Sequence, residues 1–234
     1  MSGIMMATMN VVPPVPVLYY DPSNSLSYPG SGTTINSIAP TNLTGTLSNI
    51  TYTNPYFTYN GTSATMSVAD NSLLEPGTGD FTLEAWVYYS VIAGSSRVLV
   101  GKTDGGLGAD WGYGIRTGAN GGTYFEVGNG TTSTTSPTFT VSTGTWYHIV
   151  GVWTNISANT IELYVNGASQ GSNSHSFTSV KNTTRPLSFG SFDGGATFGQ
   201  WLNGRMGIYR QYNSALSAAQ VFANYNTTKG IYGL

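Results

Sequence analysis

Glu84, Glu126 and Glu162 are acids that fall inside strand-like stretches, GDFTLEAWVYY, TYFEVGN and TIELYV. Hydrolysis of a glycosidic bond needs two carboxyl groups on either side of it, one to protonate the leaving oxygen and one to activate water or attack. On a strand, a pair of this kind would stand two or four residues apart, because alternate side chains share a face. Glu84 instead has Thr82 and Trp86 beside it on its face, Glu126 has Tyr124, and Glu162 has Tyr164. Each reads as a solitary acid on a solvated strand face, so the expectation is a protein that is not an enzyme. His148 and His175 are the only histidines. No His-x-x-x-His pair and no Ser-His-Asp order can be built around them. His148 sits in the central stretch WYHIVGVW, where a hydrogen-bonded interior role is expected. His175 sits in a loop rich in Ser and Asn.

Two glycine-rich loops offer a different chemistry. KTDGGLGADWGYG carries Asp104 and Asp110, and SFDGGATFGQW carries Asp193. Calcium takes carboxylates supplemented by backbone carbonyls, which glycine loops expose. These three aspartates are therefore the candidate Ca2+ ligands, although Asp-Gly is also ordinary turn composition. The same loops lead into aromatic residues, Trp111 and Tyr113 after the first and Trp201 after the second, with Asn129 and Asn203 as polar partners. Sugars are held by stacking their C–H faces on rings while amides fix the hydroxyls. These five residues are the candidate glycan site. The competing reading makes the rings core anchors.

Composition excludes other classes. Only 8% of the 234 residues are charged and the net charge is −2, so neither nucleic acid nor an anionic membrane is attracted in bulk. Aromatic residues reach 13%, which argues against disorder. The absence of cysteine removes disulfides, thiolate nucleophiles and cysteine-ligated zinc, and points to a bacterial or viral source.

The elements that must position these residues are strands. Phe81, Leu83, Ala85, Val87 and Tyr89 share one face of GDFTLEAWVYYS, opposite Thr82, Glu84, Trp86 and Tyr88. Ile161, Leu163 and Val165 alternate with Glu162 and Tyr164, and Asn166-Gly167 predicts a hairpin to ASQGS. Asn60-Gly61 predicts another hairpin between PYFTY and ATMSVAD. Short strands separated by turns predict an antiparallel β-sandwich over residues 17–234. Ser217 and Gln220 have capping-box spacing, with Leu216 and Val221 as a staple, so a short C-terminal helix is expected to pack Val221, Phe222 and Tyr225 on the sandwich edge. Residues 1–16 are rich in Met and Pro, without period, and make a poor signal peptide or membrane span. They predict an extended arm whose Ile4, Met5, Val11, Val12 and Val15 could dock on a partner.

GDFTLEAWVYY, GTWYHIVGVW, IELYVNG, PLSFGSF and WLNGRMGIYRQYNSALSAAQV occur in the order found in laminin-G-like domains of the concanavalin A-like jelly-roll type, and the chain resembles them over about residues 17–234. LYYDPSNSLSYPGSGTTINSI and NYNTTKGIYGL resemble the flanks of such domains in tailed-phage structural proteins. The resemblance implies a virion surface protein, decorating capsid or tail, with other virion proteins as partners, a homo-oligomeric state and a lectin-like domain for host or environmental glycans. The alternative is a stand-alone lectin module, extracellular or on a bacterial cell surface. The family commonly places acids in the strand before ALS. Here Gly207 and Ile208 occupy those positions while Arg210 is kept, so the resemblance carries over no charge pair or metal role at that strand.

Overall fold

The structure is a computed structural model and describes residues 11–92, 94, 96–103, 111–192 and 200–234. In chain order, the first strands are β1 (Leu18–Tyr20), β2 (Thr34–Asn36), β3 (Thr44–Ser48), β4 (Thr51–Thr53), β5 (Tyr56–Asn60) and β6 (Thr65–Val68). Next come β7 (Phe81–Val91), β8 (Arg97–Thr103), β9 (Trp111–Thr117), β10 (Gly122–Gly128), β11 (Ser133–Thr135) and β12 (Phe139–Thr140). The last are β13 (Trp146–Thr154), β14 (Thr160–Val165), β15 (Ala168–Ser174), β16 (Leu187–Phe189) and β17 (Asn203–Tyr212), followed by helix α1 (Ala218–Thr228).

The strands form two antiparallel sheets. The eight-stranded sheet runs β15-β14-β13-β7-β17-β5-β4, with β1 pairing the second half of β17. The nine-stranded sheet runs β11-β10-β9-β8-β16-β6-β3-β2, with β12 also on β10. The alternation in β7 is realised as expected. Phe81, Leu83, Ala85, Val87 and Tyr89 enter the core between the sheets, where they meet Tyr113, Ile115 and Phe125 of the facing sheet and Ile161 and Leu163 of their own. Asn166 and Gly167 both adopt positive φ and close the β14–β15 hairpin. The Asn60-Gly61 turn differs from expectation, because β5 and β6 belong to different sheets. The Asn60 carboxamide oxygen accepts from the amides of Thr62, Ser63 and Ala64, and this local knot carries the chain across the sandwich.

The helix also lies elsewhere than expected. Its capping box forms as predicted, Ser217 Oγ accepting from Gln220 N at 3.3 Å and Gln220 Oε1 accepting from Ser217 N at 2.9 Å. The helix covers the outer face of the eight-stranded sheet, not the sandwich edge. Val221, Asn224 and Thr228 form its buried stripe, whereas Phe222 is exposed. Val221 and Leu216 pack with Val150, Val152, Tyr164 and Tyr212. Thr228 Oγ1 accepts from the Trp86 indole at 2.9 Å. A short 3-10 turn follows, and its Tyr232 ring stacks on Trp86 with centroids 4.4 Å apart. The Tyr232 hydroxyl accepts from Ile208 N at 2.8 Å, at an irregularity where β17 shifts register against β7. A Cβ on Gly207 would overlap that hydroxyl, so the residues that replace the family's acids make the seat for Tyr232.

Beneath the helix lies Glu84, which has no exposed surface; the expectation of a solvated acid is wrong because residues about 140 positions later cover it. A registered row crosses the sheet here, Tyr164, Val150, Glu84, Arg210 and Tyr19 on β14, β13, β7, β17 and β1. Arg210 Nη1 donates to Glu84 Oε1 at 2.6 Å, and His148 Nε2 stands 3.1 Å from the same oxygen. Asn224 Nδ2 and the Tyr212 hydroxyl reach Oε2 at 2.6 and 3.2 Å. A charge pair at Arg210 therefore exists, formed across strands. Burial alone would raise the Glu84 pKa; the Arg210 guanidinium, then His148 and Asn224, outweigh it and hold the group at about 2. Its contribution to stability is complete above the ordinary carboxyl value of 4.5 and is lost as pH falls towards about 2. Glu84→Gln leaves Arg210 buried without its counter-charge and should cost about 3–5 kcal/mol in urea unfolding at neutral pH. The difference from wild type should shrink as pH is lowered towards 2.

Candidate functional site

Among the described residues, two places on the sandwich stand out as candidates for a ligand. The first is where the edges of the two sheets meet. β15 ends one sheet and β11 ends the other, and Asn173 Nδ2 donates to Thr135 O at 2.8 Å across the gap. A groove of about 420 Å³ opens beside this bridge, walled by residues 132–134 on one side and 174–177 on the other. Its surface is hydroxyl-rich, from Thr132, Ser133, Thr134, Ser174 and Ser176, with the Phe177 ring half-buried among them. The β15 sequence ASQGSNS has no apolar alternation, because both its faces look outward, and this supplies the polar wall.

Both walls are tied to the body of the protein by hydrogen bonds or ring stacking. Asn129 Oδ1 accepts from the amides of Thr131 and Thr132 at 2.9 and 2.8 Å, fixing the turn that presents the first wall. On the second wall, His175 stacks on the buried Trp153 ring at 3.6 Å and 17°. Its Nδ1 and Nε2 stand 2.9 and 3.2 Å from the carbonyls of Phe177 and Thr154. His175 is therefore the peg that holds its loop on the core. Behind the first wall, Ser133 Oγ donates to Glu126 Oε1 at 3.0 Å, and Arg116 Nη1 lies 3.2 Å from Oε2. Burial pushes the Glu126 carboxyl up, against the pull of Arg116 and Ser133.

The second place is the part of the outer face that α1 leaves uncovered. Trp146, Tyr88, Arg205 and Thr58 stand in one registered row across β13, β7, β17 and β5, all half-buried. Tyr56 joins them from two residues along β5, its ring 5.6 Å from that of Trp146.

Several carboxylates elsewhere among the described residues are paired within the protein. The Lys102 ammonium, fully buried, lies 2.6 Å from both Asp70 and Glu75 and donates to the Thr183 and Arg185 carbonyls. The Lys102 hydrogen bond holds the Asp70 carboxyl down, while burial pushes Glu75 up. Glu126 is likewise buried against Arg116, not solvated on its strand face as the alternation suggested, and Glu162 accepts from Ser169. Among the described residues, no group of three or more His, Asp and Glu is placed to hold a metal ion. Asp104, Asp110 and Asp193 lie outside the described residues, as do Ile4 and Met5.

The five candidate glycan residues are not brought together. Trp111 and Tyr113 are fully buried. The Trp111 indole lies in a slot between the registered glycines Gly101 and Gly114, where a Cβ would stand 3.0 and 2.6 Å from its ring, and its Nε1 donates to Glu126 O. Tyr113 is a core residue whose hydroxyl donates to Leu74 O at 2.7 Å. Neither ring has a face free for a sugar, so the anchor reading holds for both. Asn129 shapes the groove. Trp201 is half-buried just before β17, and Asn203 opens that strand two residues from Arg205, on the other sheet. His175, Phe177 and Arg205 were missed; the stacking partner of each is a residue distant in sequence, and spacing carries no trace of it.

Residues 60–222 match the laminin-G-type family described as the concanavalin A-like lectin/glucanases superfamily. The chain belongs to this family. No curated protein matches the sequence. Among solved structures, this laminin-G-like chain is similar to Trypanosoma rangeli sialidase in complex with sialic acid, with a TM-score of 0.69 and 13% identity over 93% of this chain and 33% of that one. It is similar to the botulinum neurotoxin serotype D ligand binding domain in complex with N-acetylneuraminic acid, with a TM-score of 0.70 and 14% identity over 91% and 51%. It is also similar to the binding domain of Paraclostridial Mosquitocidal Protein 1, with a TM-score of 0.68 and 16% identity over 87% and 53%. The chain spans a third to about half of the length of these proteins, and the likeness is one of fold.

The reassignment of Trp111 has a direct check. Trp111→Ala should lower unfolding stability by about 3–5 kcal/mol through the cavity it leaves. Trp201→Ala, at a half-buried position, should cost much less in the same urea titration.

Proposed function

We propose that this laminin-G-like protein is a non-catalytic glycan-binding protein displayed on a virion surface, and that it takes neutral sugar in the groove between β11 and β15. The observation that carries the reading is the groove itself. Its volume of about 420 Å³ lies within the range of small-ligand sites, and it combines a ring with several hydroxyls. Sugar hydroxyls both donate and accept, and so do those of Ser and Thr, so a hydroxyl-lined wall can match either role. Phe177 offers the apolar surface on which a C–H face can stack. Immobilised walls add affinity, because little side-chain freedom is lost on binding.

A non-catalytic role is supported by the state of the carboxylates. One carboxyl group, Glu126, backs the groove, and it is tied to Arg116 and Ser133. The other strand-borne acid of the interior, Glu84, is sealed under α1. Among the described residues, neither has a second carboxyl group facing it across open space, as glycoside hydrolysis requires.

The virion setting draws on the N-terminal arm. Val12 and Val15 are 72% and 70% exposed, an apolar display beside the half-buried Val11. Together with Ile4 and Met5 they would lie along a neighbouring subunit or another virion protein. Deleting residues 1–16 should release the protein from particles while leaving its thermal unfolding unchanged. A truncated protein that still co-purifies stoichiometrically with particles would contradict the arm's role.

The binding reading is tested by titrating the purified protein against bacterial surface polysaccharides, in calcium and again in chelator. Saturable binding that persists in chelator and weakens at least about tenfold in Phe177→Ala is expected. Binding abolished by chelator would move the site to the loops of Asp104, Asp110 and Asp193. No binding by a well-folded sample would leave a structural decoration protein.

A further inference from the structure

Arg205 is an arginine with its aromatic setting complete and, among the described residues, no acid paired with it. Its guanidinium carbon lies 4.8 Å from the Tyr56 ring centroid and 4.5 Å from that of Tyr88. Two other arginines of the chain share this design. Arg210 lies over Tyr19 and pairs with Glu84, and Arg116 lies over Trp111 and Tyr124 and pairs with Glu126. In both cases a buried carboxylate completes the arrangement. At Arg205 the cross-strand neighbours are Thr58 and Tyr88, and among the described residues no carboxylate or carbonyl accepts from its guanidinium. The residue is half-buried, and none of its nitrogens is sealed from solvent.

We propose that Arg205, framed by Tyr56 and Tyr88 beside Trp146, is a binding site for the carboxylate of an acidic saccharide, separate from the hydroxyl-lined groove. The fork of guanidinium donors matches a carboxylate with two parallel hydrogen bonds. Holding the cation between two rings removes much of the side-chain freedom that binding would otherwise have to freeze. The remaining surface suits a sugar. Trp146, Tyr88, Arg205 and Thr58 make a strip of roughly 14 Å across four strands, at about 4.8 Å per strand. Its aromatic end can stack the C–H face of one ring while the charged end holds the acid group of another. Thr58 and Asn203 stand beside the cation for neighbouring hydroxyls. The strip lies on a sheet face, which has no free main-chain edge to pair with an extended peptide. It presents one guanidinium, too little for a polyanion such as nucleic acid in a chain of net charge −2.

The test is calorimetric titration of the full chain with trigalacturonic acid, sialyllactose and a glucuronate-containing tetrasaccharide, each beside its carboxyl-esterified form. At least one acid should bind saturably and its ester at least about tenfold more weakly. Arg205→Gln should reduce binding of the acid to the level of the ester, and Arg205→Lys should recover part of it. Phe177→Ala should leave it unchanged, which keeps this site distinguishable from the groove. Unaltered melting of the Arg205 variants confirms the fold, and Trp146→Ala provides a second reading of the strip without touching the cation. The proposal is overturned if none of the acids binds at millimolar concentration, or if ester and acid bind alike. It is overturned equally if Arg205→Gln binds as wild type, or if a triglutamate peptide binds as tightly as the best saccharide.

Discussion

A carboxylate with no contact to water sits in the middle of a sheet face, and what covers that face answers to it. Glu84 cannot remain charged under a helix unless both its oxygens are occupied, and α1 supplies one of the donors, Asn224. The helix thus covers the acid and helps to satisfy it. Its position is fixed by that hydrogen bond and the Thr228 contact with Trp86, together with the packing of Val221. Arg210 adds the neutralising charge from the neighbouring strand, and Tyr19 carries the same row to β1, near the start of the described chain. The ion pair and the ring above it add a side-chain row to the backbone ladders that join the first and last strands to the centre of this sheet.

The helical cover of this face is incomplete. The helix and the turn after it end at Tyr232, whose ring lies 4.5 Å from that of Trp146. Beyond that contact the half-buried aromatic row continues past the helix to Arg205. Gly207 sets this boundary, because only a residue without a Cβ admits the Tyr232 hydroxyl against β17. One half of the face thus becomes a second small core, and the other remains open with a cation on it. The groove at the sheet edges arises from another limit of the sandwich. β11 and β15 end their sheets with polar strands, which suits edges that must not pair with other chains.

Local signals in the sequence set the elements. Alternation in Phe81–Val91, the Asn166-Gly167 turn and the Ser217 box each involve residues close in sequence, and the structure realises each. What depended on distant partners was misjudged or left open. Glu84 read as solvated because its cover comes from Asn224 and its counter-charge from Arg210. Trp111 stayed open between sugar platform and core anchor because the slot that swallows it is built from a cross-strand glycine pair. Asn60-Gly61 has hairpin composition but joins two sheets, since composition fixes a turn's shape and leaves the destination of the next strand open. The half-buried strip around Arg205 escaped notice for the same reason. Tyr56, Tyr88, Trp146 and Arg205 come from four strands, and register alone aligns them.

On the proposed function, ligands are met by half-buried rings at the surface, Phe177, Tyr88 and Trp146, and not by the fully buried Trp111 and Tyr113. Amide chemical-shift mapping of the full chain during titration with a bound oligosaccharide tests it most directly. Perturbations should concentrate at residues 132–134 and 174–177 for a neutral sugar, and at Tyr56, Tyr88, Trp146 and Arg205 for an acidic one. The amides of Phe81–Ala85 should stay unmoved in both. Shifts centred on Trp111 and Tyr113 would contradict the account, because they would mean that the core opens to admit the ligand.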